Sequence, residues 1–154
     1  MKVLNNYINT IYFRKEERMN ILFFLTPKEE VDHICETDNM RQGLEKMERH
    51  SYMAIPLLSK RGKYKGTITE GDFLWYLKAH NFPTLEELEQ VPITDLPRKK
   101  DNLAVNVQEK VEDLFEKMVN QNFVPVVDDE RVFIGIVTRK DILLYMAKKL
   151  QKAK

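Results

Sequence analysis

Four residues recur along this chain at one fixed displacement. Pro56, Gly66, Thr69 and Asp72 return 69 positions later as Pro125, Gly135, Thr138 and Asp141. They sit in two stretches of similar texture, AIPLLSKRGKYKGTITEGDFL and FVPVVDDERVFIGIVTRKDIL. Each reads as a proline-bearing strand, a turn, a glycine-bearing strand, and a Thr-x-x-Asp step into a helix. A duplicated supersecondary unit constrains architecture more than any local propensity, because neither copy can bury its apolar face alone.

The segments before each stretch complete the unit. Met40, Leu44 and Met47 fall on one helical face, as do Val111, Leu114, Phe115 and Met118. Met47 matches Met118 at a displacement of 71, so repeat two is two residues shorter between helix and proline strand. Length changes of this kind belong in a loop. Each unit therefore reads β-α-β-β-α. The expected fold is α/β, with two such repeats packed sheet to sheet, related by a pseudo-twofold axis and enclosing a pair of clefts. Pro56 suggests an edge strand or a strand end.

The expected organisation is an N-terminal helical extension over 1–19, repeat one over 20–80, a linker over 81–92 and repeat two over 93–150. In the extension Leu4, Ile8, Ile11 and Tyr12 follow helical spacing, and Met19 resembles an internal start. Within the linker, Thr84 and Glu87 form a capping-box signature. Pro92 and Pro97 frame the entry to repeat two.

Composition removes several function classes. At 154 residues with a formal net charge of +1, no whole-chain field favours nucleic acid or an acidic membrane. The basic run Arg98-Lys99-Lys100 reads as solvated surface. No apolar stretch reaches the roughly 18 residues that a membrane span needs. One cysteine, Cys35, cannot form an internal disulfide framework and fits a reducing cytoplasmic setting. His33, His50, His80 and Cys35 lack metal-ligand spacing. No nucleophile elbow, phosphate loop or dinucleotide fingerprint is present. The chain is read as non-enzymatic, with no cofactor.

The chemistry that remains lies in the repeat. A strand ending in threonine and entering a helix offers unpaired amides and a positive helix end to an anion. Thr138 can donate its hydroxyl to a phosphate oxygen, and Arg139 can grip phosphate with a planar fork. Lys140 adds a mobile charge, and Asp141 can accept from both hydroxyls of a ribose. The same four residues also read as a helix cap beside two solvated cations. Repeat one keeps Thr69 and Asp72 but places Glu70 where Arg139 stands, so the two clefts should be unequal, with the 138–141 cleft the stronger. Arg98 or Lys99 could offset Glu70. Tyr52, Met53 and Ala54 can supply the slot for a base, or Tyr52 and Met53 can be core. Asn122, Phe123 and Val124 occupy the equivalent place in repeat two.

The duplicated Gly-h-x-Thr-x-x-Asp motif (h, apolar) beside proline strands resembles the CBS domain, and the whole resembles a stand-alone CBS pair, or Bateman module, over roughly 20–150. The resemblance implies a disk-like homodimer that binds adenosine-containing ligands in its clefts. Carried onto this chain, the favoured cleft takes Val31, Asp32, His33, Tyr52, Met53, Ala54 and Pro56 with Thr138, Arg139, Lys140 and Asp141. The weaker cleft takes Thr69, Asp72, Arg98, Leu103, Asn122, Phe123 and Val124. Val31-x-His33-Ile34, Tyr52-x-Ala54-Ile55-Pro56, Thr94-Asp95-Leu96-Pro97-Arg98 and Phe133-x-Gly135-Ile136-x-Thr138-Arg139 are similar to small Gram-positive CBS-pair proteins. Those bind cyclic di-AMP and regulate partner enzymes. The resemblance thus implies AMP, ADP, ATP or cyclic di-AMP as regulatory ligand, and a protein partner. Glu29, Glu30 and Asp32 depart from it by placing negative charge near the phosphate. A ligand-free dimerisation or docking module with degenerate clefts is the alternative.

Overall fold

The computed structural model describes residues 19–50 and 52–152. The helix expected over 1–18 lies outside them. Repeat one contains β2 (Ile34–Cys35), α1 (Met40–His50), β3 (Ala54–Leu58), β4 (Tyr64–Thr69) and α2 (Glu70–Ala79). Before it stands β1 (Thr26–Pro27), and after it the short α3 (Leu85–Glu89). Repeat two contains β5 (Val105–Asn106), α4 (Val111–Met118), β6 (Phe123–Val127), β7 (Phe133–Thr138) and α5 (Arg139–Lys152). Both repeats follow the β-α-β-β-α order that the duplication dictates.

The helical stripes face inward as their spacing requires. Met40 and Met47 are buried with Leu44 packed beside them in the repeat-one core. Val111, Leu114, Phe115 and Met118 are all buried in the repeat-two core. The linker helix α3 is closed by a reciprocal capping box between Thr84 and Glu87.

Repeat one forms a three-stranded sheet in the order β2-β3-β4, and repeat two a four-stranded sheet in the order β1-β7-β6-β5. The repeats meet through two backbone hydrogen bonds that are copies of one another. The Tyr64 amide donates to the Arg131 carbonyl at 3.1 Å, and the Phe133 amide to the Gly62 carbonyl at 2.9 Å. Each bond maps onto the other under the 69-residue displacement, so the pseudo-twofold axis passes between Lys63 and Val132, which form an isolated bridge. Val31, Leu58, Tyr64, Val127 and Phe133 bury a shared core at this seam.

One expectation needs correction. Pro56 and Pro125 lie inside central strands, not at edges. They are tolerated because β2 meets β3 only at Leu57 and Leu58, and β5 meets β6 only at Val126 and Val127. The ladder on that side thus begins after the proline, where no N–H is lacking. The run Arg98-Lys99-Lys100 is solvated at its two lysines, which are exposed, and half-buried at Arg98. Arg98 is paired with Asp101, and the Lys99 ammonium lies 5.0 Å from the centre of the Trp75 ring.

Candidate functional site

A cleft of about 350 Å³ opens where the two repeats meet. Repeat one supplies Tyr52 through Pro56 from the start of β3, and Glu30, Val31 and Asp32 from the segment before β2. Repeat two supplies Thr138 and Ile136 from β7, with Asn122 and Phe123 leading into β6. Thr26 reaches the cleft because β1 joins the far sheet, pairing with Ile136. Val31, Asp32, Tyr52, Met53, Ala54, Pro56 and Thr138 thus come together as anticipated. Thr26, Ile55 and Ile136 were missed. Ile136 could have been found from its position two residues before Thr138, on the same strand face. Thr26 carries no local signal, since its pairing spans more than a hundred residues.

Met53 is 67% exposed, which excludes the reading that places it in the core. Tyr52 is half-buried, packed on the repeat-one core and stacked on His50 at 5.3 Å and 18°. The cleft therefore has an apolar, aromatic wall that is partly open to solvent.

His33, Arg139, Lys140 and Asp141 stand outside the lining. His33 Nδ1 is 3.5 Å from the Val31 carbonyl. The Arg139 guanidinium turns to the end of α4, donating to the carbonyls of Met118 at 3.0 Å and Val119 at 3.4 Å. There it satisfies carbonyls that the helix cannot use and meets the negative end of its dipole. In this conformation it does not grip a phosphate. Asp141 is half-buried and forms a local cap with Thr138: its amide donates to Thr138 Oγ1 at 3.1 Å, and the threonine hydroxyl donates to Asp141 Oδ2 at 2.5 Å.

The corresponding turn in repeat one is built differently. Asp72 is 4% exposed. Its carboxylate accepts the Thr69 amide at 2.9 Å and the Lys99 amide at 3.2 Å. The chain from Arg98 to Leu103 crosses this turn and is pinned there. Asp101 accepts the Thr67 amide at 2.9 Å and pairs with Arg98 at 2.8 Å. Arg98 therefore neutralises Asp101 and not Glu70. The Gln121 side chain, itself buried, holds both backbone groups of Leu103 at 2.8 and 3.0 Å. Asn122 and Phe123, assigned to this weaker cleft, line the 350 Å³ cleft instead, and Val124 is fully buried in the repeat-two core.

Electrostatics reinforce the closure on this side. Burial opposes ionisation of Asp101, but the Arg98 hydrogen bond and the Thr67 amide outweigh it and hold the carboxyl below the usual carboxylate range. The same contact raises Arg98. Burial pushes the Tyr64 phenol up to about 12, against the hydrogen bond to Thr67. Its hydroxyl donates to the Asn102 carbonyl at 2.7 Å, which ties the crossing segment to β4.

No described helix is long and apolar enough to cross a membrane. Among the described residues, no group of three or more His, Cys, Asp or Glu is placed to hold a metal ion.

Two α/β repeats joined about a pseudo-twofold axis, with a cleft walled by both, define a duplicated α/β architecture. The CBS domain profile matches residues 25–79 and 93–148, and the chain belongs to the CBS-domain family. It is 27% identical over 133 residues to cyclic di-AMP receptor B of Bacillus subtilis, a match covering 83% of this chain and 86% of that protein. Its fold matches a CBS-domain protein of Streptococcus pneumoniae with a TM-score of 0.78 and 26% identity, over 96% of this chain and 97% of the other. It also matches Listeria monocytogenes CbpB in complex with c-di-AMP, with a TM-score of 0.75 and 24% identity, over 85% and 97% of the two chains.

Proposed function

We infer that this protein is a non-enzymatic regulatory sensor that binds an adenosine phosphate in the cleft between Tyr52–Pro56 and Thr138, with cyclic di-AMP the foremost candidate. The observation that carries the reading is that cleft: a half-buried aromatic ring and an exposed thioether face a threonine at a helix start across the repeat boundary. A purine can lie between Tyr52 and Met53 while strand backbone near Ala54 reads its edge. Thr138 and the start of α5 then face the phosphate, with Asp141 beyond for the ribose hydroxyls. The B. subtilis relative is named as a cyclic di-AMP receptor, which supports the cyclic dinucleotide over the mononucleotides.

For the ligand to signal, it must bind one arrangement of the two repeats better than another. Arg139 is the residue placed to report it. Leaving the α4 carbonyls for a phosphate would uncouple α4 from α5. A homodimer acting on a partner protein in the cytoplasm is the setting this reading fits.

One observation favours the alternative of a ligand-free docking module. Glu30 and Asp32 line the cleft, whereas among the described residues its lining includes no lysine or arginine. Isothermal titration of AMP, ADP, ATP and cyclic di-AMP into the full chain decides between them. Micromolar or tighter binding of one nucleotide, with about 2.7 kcal/mol of added stability at a hundredfold excess over Kd, is the expected result. A flat response to all four at millimolar concentration would overturn the sensor reading.

A further inference from the structure

His50 stands outside the cleft lining yet is tied to it from two sides. Its Nε2 lies 2.8 Å from Asp32 Oδ2, and its ring stacks on Tyr52. Asp32 and Tyr52 both line the cleft, so one imidazole joins the acidic wall to the aromatic wall. It is also the last residue of α1, where the helix dipole favours a cation. Repeat one is longer than repeat two in this very stretch, between Met47 and Pro56. The second repeat carries Val119 and Asn120 between α4 and Gln121 and has no counterpart of His50.

The charge balance gives this contact a consequence. A phosphate entering the cleft meets Glu30 and Asp32, and Arg139 is turned away. With a neutral imidazole, Asp32 presents a full negative charge to the ligand. With a protonated imidazole, Asp32 becomes half of an ion pair and the local field is reduced.

We propose that His50 is a positioning residue that makes anion binding in this cleft depend on pH. Protonated, it neutralises Asp32, holds the Tyr52 ring and strengthens the binding of a phosphodiester; neutral, it leaves the cleft acidic. The proposal rests on the nucleotide reading of the cleft. Among the described residues, the Asp32 carboxylate and the Tyr52 ring face His50. Glu30 lines the same cleft, and His33 follows Asp32 on the same segment with Nδ1 near the Val31 carbonyl. On its own helix Arg49 adjoins it, while Lys46 is paired with Asp38 at 2.7 Å. The sign follows from linkage: if the bound state favours protonated His50, binding takes up a proton and affinity rises as pH falls through the histidine range.

Cyclic di-AMP is the suitable probe, because its phosphodiesters keep their charge across that range. Titrations of the full chain are run between about pH 6 and pH 8, in two buffers of different ionisation enthalpy. Affinity is expected to rise toward pH 6 by up to about tenfold, with net proton uptake. His50→Gln should flatten the profile at the weaker limit, and Asp32→Asn should flatten it at the stronger limit. Those opposite limits are a readout that a merely structural histidine would not produce. A pH-independent affinity in the unaltered chain, or an unchanged slope in His50→Gln, overturns the proposal and leaves the nucleotide reading standing. Absence of cyclic di-AMP binding at every pH overturns the proposal together with the cyclic dinucleotide form of that reading.

Discussion

Thr69–Asp72 and Thr138–Asp141 share a sequence pattern and a position in their repeats, and they differ in what lies over them. Asp72 is covered by the chain running from Pro97 to Leu103, and its two carboxylate oxygens accept the amides of Thr69 and Lys99. Asp141 is half-buried, and its known contacts are with Thr138 in its own turn. The cause lies in how each repeat is entered. The chain enters repeat one as β1, which pairs with β7 and passes the far cleft as a strand. It enters repeat two through Arg98–Leu103, which lays a side chain, Asp101, on the Thr67 amide. One turn has become part of the fold's hydrogen-bonding, and the other faces a cleft. Duplicated motifs can thus diverge in role while keeping their threonine and aspartate, because the covering segment decides which carboxylate remains available.

The largest expected contrast is between the two aspartates. Asp141→Ala should weaken nucleotide binding by about ten- to a hundredfold, the loss of one charge-assisted hydrogen bond, with little change in stability. Asp72→Ala should leave affinity within about twofold and lower stability by about 1–3 kcal/mol, since two part-buried amides lose their acceptor. Titration calorimetry and urea unfolding separate the two, and equal effects on binding would break the comparison.

The glycines sharpen it next. A Cβ on Gly135 would collide with the backbone carbonyl of Thr26, whereas one on Gly66 would meet the Asp101 carboxylate. Backbone in a paired strand cannot withdraw, but a side chain can. Gly135→Ala should therefore cost about 1–3 kcal/mol and Gly66→Ala measurably less, as read by denaturant midpoints.

The smallest effect concerns pH. Asp101 has a folded-state pKa below its ordinary value, so its contribution to stability is present at neutral pH. That contribution is lost as pH falls from about 4, the unfolded carboxylate value, through the lower folded one. Asp101→Asn should remove that part of the acid dependence while leaving the nucleotide affinity of the other cleft unchanged.

Local pattern carried much of this architecture. The 69-residue displacement, the methionine and leucine stripes and the Thr84–Glu87 cap each depend on neighbours within a turn or a strand, and each appears where the spacing places it. What was not legible depends on distant parts of the chain. The Asp32–His50 contact spans 18 residues, and the Asn102–Tyr64 bond 38; neither leaves a periodicity. Arg139 was read from its type and position, yet the carbonyls at the end of α4 compete for it. Met53 looks like core in a hydrophobic run, but it lies just before β3, in the cleft wall, and is exposed. Pro56 shows a rule applied too broadly: a strand can be central in its sheet and still lack a neighbour at one residue.

The central claim is that the cleft shared by Tyr52–Pro56 and Thr138 is the nucleotide site and the turn at Thr69–Asp72 is not. A crystal structure of the full chain grown with cyclic di-AMP tests it most directly. The account expects an adenine between Tyr52 and Met53, with a ribose within hydrogen-bond reach of Asp141 and Asp72 still bonded to the Thr69 and Lys99 amides. A ligand seated instead against Thr69 and Asp72, with the 98–103 segment displaced, would contradict it.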